Sequence, residues 1–494
     1  MKKLTTTLLL CAMLLSMAAC GNEVKETNPA NETTADTTAV ADNTETESET
    51  ELTRENTPDD LPEKDFGGKT FTIFMDSTFT GYTTYDELSG DAMEDAIYNR
   101  NNKVSDRFNV DFVCLDGGSY DDVSKAVNTA VLAGESAYDV VMSHAIQNGI
   151  NANSGCFMPW NNVPYIDFTK PWWNETMVTD LSYKGYAFLA QGDMDITALT
   201  YAGAIFYNKN LGAKFDIPDM FQIVREGKWT KDKLVELASG TYVDVNGDGV
   251  RDEGDQYGFA MENNEDSNSY LWCFGKRIYE KDADGGFTNV YYDEKLVNIV
   301  EWLYNFKNNN DFVYTDAVWN LGYHMMDLGN TVFTDNDLDQ ALWLRDSEVN
   351  FSILPMPMWD EAQGKYCSPV GGGMGCDGVM LTAADTELVG IMMEALNAES
   401  WRTVTPAVVD SALKFKGARD EESIEMIDII IDSRVVDFGL VYGGWGSARS
   451  AIKRVVDKAN STDITSYYEQ NKPTWDATMD SVFTAFEELV EKNK

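Results

Sequence analysis

The chain has 494 residues with 38 basic and 82 acidic side chains, a net charge of −44 with histidine neutral. A surface that acidic repels phosphate backbones and anionic headgroups, which argues against nucleic acid or a charged lipid surface as the partner. With 43% hydrophobic residues a large core is available, and the length implies two or three compact units.

Lys2 and Lys3 precede an apolar run through Leu15 that is too short to span a bilayer as a stable helix and ends in Ala18 and Ala19, directly before Cys20. This is an export signal. The small pair before cysteine resembles a bacterial lipobox, which makes residues 1–20 a lipoprotein signal peptide and Cys20 the lipidated first residue of the mature chain. Met17 departs from the leucine most common in that pattern; ordinary secretory cleavage and an uncleaved anchor are the alternatives. From Gly21 to Asp65, Thr, Glu, Asp, Asn and Ala dominate. Such a stretch buries too little to offset the entropy of ordering, so 21–65 is expected to be a disordered acidic tether. The five cysteines beyond the signal are scattered without CxxC spacing, so neither a disulfide framework nor a zinc site is indicated.

Lys69–Asp76 reads as a strand, followed by a helix carrying Met93, Ala96, Ile97, Val104 and Phe108 at helical spacing. Phe108–Asp116 is a second strand, Val123, Val127, Ala130 and Val131 mark a helix stopped near Gly134, and Tyr138–Ser143 is a third strand. This β-α-β-α-β order requires a parallel sheet, whose ligands sit beyond the carboxyl ends of the strands. Asp76, Ser77, Ser143 and His144 are thereby placed at a cleft rim. Tyr186–Asn210 starts as a strand, turns at Gln191, Gly192 and Asp193, and re-emerges as an apolar run, the path of a chain crossing between two lobes.

Thr230 reads as a helix N-cap. Beyond it, Asp244–Asp255 (DVNGDGVRDEGD) has oxygen-bearing side chains at positions one, three, five, nine and twelve, glycine at six and a backbone carbonyl at seven, the EF-hand pattern for Ca2+. The ligands would be Asp244, Asn246, Asp248, the Val250 carbonyl, Asp252 and Asp255, in a structural role. Position twelve is Asp rather than Glu and strand-like QYGFAM follows, so a plain Asp/Gly turn is the alternative. Asp282–Gly286 reads as a hairpin turn. Leu296–Phe306, Asp335–Leu344 and Val389–Leu396 read as helices, Phe351–Pro357 as a strand, and the tail from Ala398 as helical.

The chain contains 12 Trp and 23 Tyr. Sugar rings pack their C–H faces on aromatic faces while their hydroxyls seek polar partners. Trp272 and Trp445 are the leading platforms, with Trp172 and Trp343 behind them; Gly443, Gly444 and Gly446 leave the backbone free to present Trp445. Catalytic signals are poor: His144 and His324 are the two histidines, and nucleophile elbow, P-loop and HExxH patterns are absent.

The runs AYDVVMS, AIFYNKNLGAKFDIPD and GKWTKDKLVELA, with the tail RDEESIEMIDIIIDSRVVDFGLVYGGW, resemble the extracellular solute-binding proteins of bacterial ABC importers, family 1 or maltodextrin-binding-like, over nearly all of 66–494. The resemblance implies an α/β, two-lobed periplasmic-binding-protein type II fold with interleaved lobes joined by a hinge: 66–195 and 331–397 in lobe 1, 196–330 and 398–494 in lobe 2, with Phe351–Pro357 returning to lobe 1. It also implies a monomer at the extracytoplasmic face that captures a carbohydrate between its lobes and delivers it to a membrane permease, without catalysis. Strand-end position and residue type then nominate Asp76, His144 and Asp193 as hydroxyl partners and Trp272 and Trp445 as stacking platforms. A surface polysaccharide hydrolase or lyase and a glycan-binding adhesin are the alternatives.

Overall fold

The computed structural model describes residues 53–263, 266–414 and 421–494; the export signal, Cys20 and most of the tether lie outside the described residues. In chain order the strands among them are β1 (Lys69–Met75), β2 (Val110–Asp116), β3 (Val140–His144), β4 (Phe157–Met158), β5 (Gly203–Asn208), β6 (Tyr257–Glu262), β7 (Tyr279–Lys281), β8 (Phe287–Asn289), β9 (Val313–Asp316), β10 (Thr331–Asp337), β11 (Phe351–Pro355), β12 (Ser368–Pro369), β13 (Gly375–Met380) and β14 (Arg434–Val435). Two five-stranded sheets organise the domain, ordered β2-β1-β3-β13-β4 and β11-β5-β10-β6-β9.

The first sheet forms as its sequence dictates. β1 pairs in parallel with β2 and β3, and the helices Ala92–Phe108 and Tyr120–Ala133 provide the crossovers. Asp91 caps the first of these by accepting from the Met93 and Glu94 amides, and Ser119 caps the second through the Asp122 amide. Gly134, at φ 68°, ends the second helix in the left-handed conformation that a residue without Cβ takes at least cost.

The second sheet corrects the expected lobe assignment. β11 pairs antiparallel with β5 instead of returning to the first sheet. All five of its residues are buried, and the helix Glu421–Asp432 packs over it. A strand this apolar announces burial, but its sequence does not say in which sheet. The expected helix Asp335–Leu344 is mostly something else: β10 runs to Asp337 as a central strand between β5 and β6, and only Gln340–Trp343 is α-helical. The chain re-enters the first sheet at β13, antiparallel to β3. The long helix Ile464–Asn493, expected in lobe 2, touches both lobes: Trp475 packs on Tyr291, and Phe486 on Tyr183 and Phe188.

The end of the expected tether is docked. Asp59 pairs with Arg107, Lys64 with Glu387 at 2.9 Å, and the Arg54 guanidinium lies 4.6 Å over the Trp401 ring. Read by itself, the acidic stretch 53–65 repels its own charges; here its acids meet cations supplied by the first lobe. Among the described residues no helix is long and apolar enough to cross a membrane.

Candidate functional site

The chain passes between the sheets at places that are themselves joined. Ala190 forms a bridge with Asp377 of β13, Ala202 with Val370, and β12 pairs with β14. The Gly375 amide donates to Thr197 Oγ1 at 2.8 Å. β13 begins at Gly375 opposite His144, the carboxyl end of β3, while β5 begins at Gly203 opposite Asp337, the carboxyl end of β10. β6 and β9 run parallel to β10. The carboxyl edges of both sheets therefore meet at these crossings, where open α/β sheets bind ligands.

His144 anchors the first-lobe side. Its ring lies 5.0 Å from Trp445 and 5.4 Å from Tyr120, which in turn is 5.5 Å from Trp445. Trp445 Nε1–H donates to Gln147 Oε1 at 3.4 Å, and the Arg449 guanidinium sits 5.1 Å over the indole. His144 Nδ1 is buried without a hydrogen-bond partner in the protein. Burial pushes its pKa down to about 4 against the pull of Asp76, and Arg449 adds to the lowering, so the imidazole is neutral at physiological pH. Gly373 lies alongside: a Cβ there would come within 3.7 Å of His144 Nε2 and 3.8 Å of the Tyr201 ring. Tyr201 meets Tyr82 edge-on at 6.4 Å, and burial raises the Tyr82 phenol to about 12. Asp339, beside both tyrosines, is driven up to about 7 by burial.

Of the five nominated residues, His144 and Trp445 come together, Asp76 backs His144 from a buried position, and Asp193 and Trp272 lie elsewhere. Asp76 is only 1% exposed; its carboxylate accepts from the Thr78 amide, the Ser143 hydroxyl at 2.7 Å and the His144 amide at 3.1 Å. It positions the end of β3 rather than offering oxygens to a ligand. Asp193 accepts from Thr405 Oγ1 at 2.7 Å and lines a different cavity of about 520 Å³, with Arg54, Trp401 and Arg434, that shares no lining residue with the His144 group. Burial raises its pKa, partly offset by Thr405. Trp272 lies within the helix Asp266–Cys273, 6% exposed, and its Nε1–H donates to Asp437 at 3.2 Å, so it is interior packing of the second lobe. Trp172 is likewise buried, donating to Glu394 at 2.9 Å. Tyr120, Gln147, Tyr82 and Tyr201 went unnominated. The turn Gly117-Gly118-Ser119 after β2 was the available signal for Tyr120, since it opens a helix at a carboxyl strand end.

The Asp244–Asp255 loop keeps the turn of its pattern. Asp244 accepts from the Gly247 and Gly249 amides, while Asp255 is buried, taking the Val245 amide and the Tyr242 hydroxyl. Among the described residues no three His, Cys, Asp or Glu gather closely enough to hold a metal ion. In this arrangement the loop acids serve backbone turns.

No protein-family profile and no curated protein matches the sequence. Solved structures do match the fold. One is the maltose-bound MalE3 of T. maritima, with a TM-score of 0.50 and 13% identity over 85% of this chain and 99% of that one. Another is UgpB from Mycobacterium tuberculosis in complex with glycerophosphocholine, with a TM-score of 0.54 and 15% identity over 84% of this chain and 99% of that one. The chain thus has the mixed α/β, two-lobed periplasmic-binding-protein fold.

Proposed function

We propose that this chain is the substrate-binding component of an ABC importer, which captures a carbohydrate between its lobes and passes it to a membrane permease. The observation that carries the reading is the His144–Tyr120–Trp445 group, an aromatic surface with an unengaged ring nitrogen where the two sheets' carboxyl edges meet. An aromatic face suits the C–H side of a sugar, and a neutral imidazole with an unpaired nitrogen suits a hydroxyl. The fold shared with MalE3 and UgpB supports a binding role but does not by itself choose the cargo. Calorimetric titration with a panel of neutral oligosaccharides tests this: stoichiometric binding with the glycan recovered unchanged is expected. Cleavage of the glycan would point to the hydrolase alternative instead, and tight binding of a peptide with no glycan binding would refute the carbohydrate assignment.

The same proposal places the protein, as a monomer, on the extracytoplasmic face, held through lipid on Cys20. Cys20→Ser protein should leave the membrane fraction; retention as firm as wild type would refute lipidation there. Ca2+ at Asp244–Asp255 is retained as a proposal with a stabilising role, supported by the ligand spacing and the EF-hand-like turn at Asp244.

A further inference from the structure

We propose that the docked stretch 53–65 is a strap across the hinge: it is fastened to the first lobe and carries Arg54 into a cavity walled by both lobes, so that the strap's hold and the arrangement of the lobes are coupled. The inference rests on the two-lobed fold and not on the identity of the ligand.

The fastening is one-sided. Thr57 O accepts from Arg402 Nη2 at 2.8 Å, Pro58 O from Lys170 Nζ at 3.2 Å and Asp65 Oδ1 from Asn109 Nδ2 at 2.8 Å, beside the Asp59–Arg107 and Lys64–Glu387 pairs. These partners lie on the first lobe or on the helical run 386–404, which packs against the first-lobe helix Ala92–Phe108. The strap opens with a turn in which the Asn56 and Thr57 amides both donate to Thr53 O, at 3.2 and 3.0 Å. That turn presents Arg54, whose guanidinium lies over the Trp401 ring and donates to the Trp401 carbonyl.

The cavity of about 520 Å³ that Arg54 lines is built where the lobes are joined. Trp173 and Asn174 come from the first lobe, while Asp428 and Asp432 come from the helix Glu421–Asp432, which covers β11 in the second sheet. Asp193 and Arg434 stand on crossing segments: Gly192 bridges to Trp173, and β14 pairs with β12. On the cleft side the same arrangement is marked by Arg345, which meets Asp91 at 3.4 Å across a gap of about 350 Å³ that Trp343 also lines.

Charge is what ties the strap to the second lobe. The lining holds five acids and two arginines, Arg54 and Arg434; without Arg54 a single guanidinium would serve all five. Burial and neighbouring Asp432 push the Asp428 carboxyl up, and Arg54 draws it back. Arg54 pulls on Asp193 in the same direction. A cation fixed to one lobe and attracted to an acid on the other favours the arrangement that keeps them near. Linkage makes the effect reciprocal: whatever carries Asp428 away from Arg54 loosens the strap.

The test needs no ligand. Spin labels at Leu132→Cys, on the first-lobe helix Tyr120–Ala133, and Leu328→Cys, after the second-lobe helix Leu321–Asp327, occupy exposed positions and report interlobe distances by double electron–electron resonance in the full chain. Hydrogen exchange of residues 53–57 reports the strap, and thermal melting confirms that each variant folds. Arg54→Ala should lower the ratio of the principal lobe arrangement to the others by about two- to fivefold, the size of one partly exposed charge pair. Asp428→Asn should do the same and should also speed exchange in the strap, and the double variant should shift no further than either single one. Added salt should reduce the difference between wild type and Arg54→Ala. Distance distributions that Arg54→Ala leaves unchanged would overturn the coupling, as would additive shifts in the double variant. Unprotected exchange of 53–57 in wild type would overturn the docking on which the coupling depends.

Discussion

Replacing Trp445 by alanine should weaken glycan binding by roughly 10- to 60-fold while leaving the protein folded. The side chain is 41% exposed; taking about 250 Å² for a tryptophan leaves about 100 Å² open to a ligand. A sugar ring covering about 60 to 100 Å² of that removes it from water at about 25 cal/mol per Å², which contributes about 1.5 to 2.5 kcal/mol. At about 1.4 kcal/mol per tenfold this is the range stated. The other part of the indole already packs against His144 and Tyr120 and donates to Gln147, so truncation also loosens that group. Trp445→Phe falls between wild type and Trp445→Ala, because it keeps a smaller aromatic face while losing the Nε1–H donor and one ring of the indole; its loss should be the smaller. Calorimetry gives the dissociation constants, and thermal melting of the free proteins gives the structural cost. A cooperatively folded Trp445→Ala protein that binds its best glycan with wild-type affinity would refute the stacking role.

Trp272→Ala should instead damage the fold, by about 3 to 5 kcal/mol in urea unfolding, since the ring is buried and satisfies Asp437; a stable variant with weakened glycan binding would return Trp272 to the site. Asp339, with its folded pKa raised to about 7 by burial, holds a proton that the unfolded chain has released above its ordinary carboxylate pKa, so its contribution to stability falls as pH rises from about 4 through 7. Asp339→Asn should consequently stabilise the protein most at pH 8, by up to about 4 kcal/mol, and least near pH 4; a pH-independent difference would refute the assignment. For the Asp244–Asp255 loop, affinities of about 10⁻⁴ to 10⁻³ M are usual for extracellular modules. About 10 mM Ca2+ added to chelated protein would then stabilise it by about 1.4 to 2.7 kcal/mol, and an unchanged melting temperature together with no metal by elemental analysis would remove calcium from the loop.

What the sequence made legible follows from which interactions are local. The first three strands and two helices of the first lobe are legible from spacing alone, because alternation and helical periodicity are properties of neighbouring residues. The crossing at Tyr186–Asn210 was legible for a related reason: a turn at Gln191–Asp193 separates a strand-like run from β5, whose six residues are all buried. Strand partnership is not local, and there the reading failed. β11 has the sequence of a buried strand and would suit either sheet; it pairs with β5, under the helix Glu421–Asp432, which lies far along the chain. The docking of 53–65 was missed similarly, since Asp59 is compensated by Arg107 and Arg402, distant in sequence.

The tryptophans make the same point about the site. Trp272 stands in SYLWCFG, a run that by sequence alone suits a loop or strand end. Yet Leu271, Cys273 and Phe274 around it are all buried, as a helix end deep in a core requires. Trp319 sits instead in DAVWNLG, directly after a four-residue strand and before an asparagine that takes the left-handed conformation. An aromatic at a strand's carboxyl end, followed by a residue able to turn the chain, presents its ring at the edge where such sheets bind. Had the aromatics been ranked by that local rule, Trp319 would have come before Trp272. Asp193 shows where the rule stops. It stands at a turn on the crossing, but the hinge has two sides, and only packing decides that its carboxylate reaches Thr405 rather than His144.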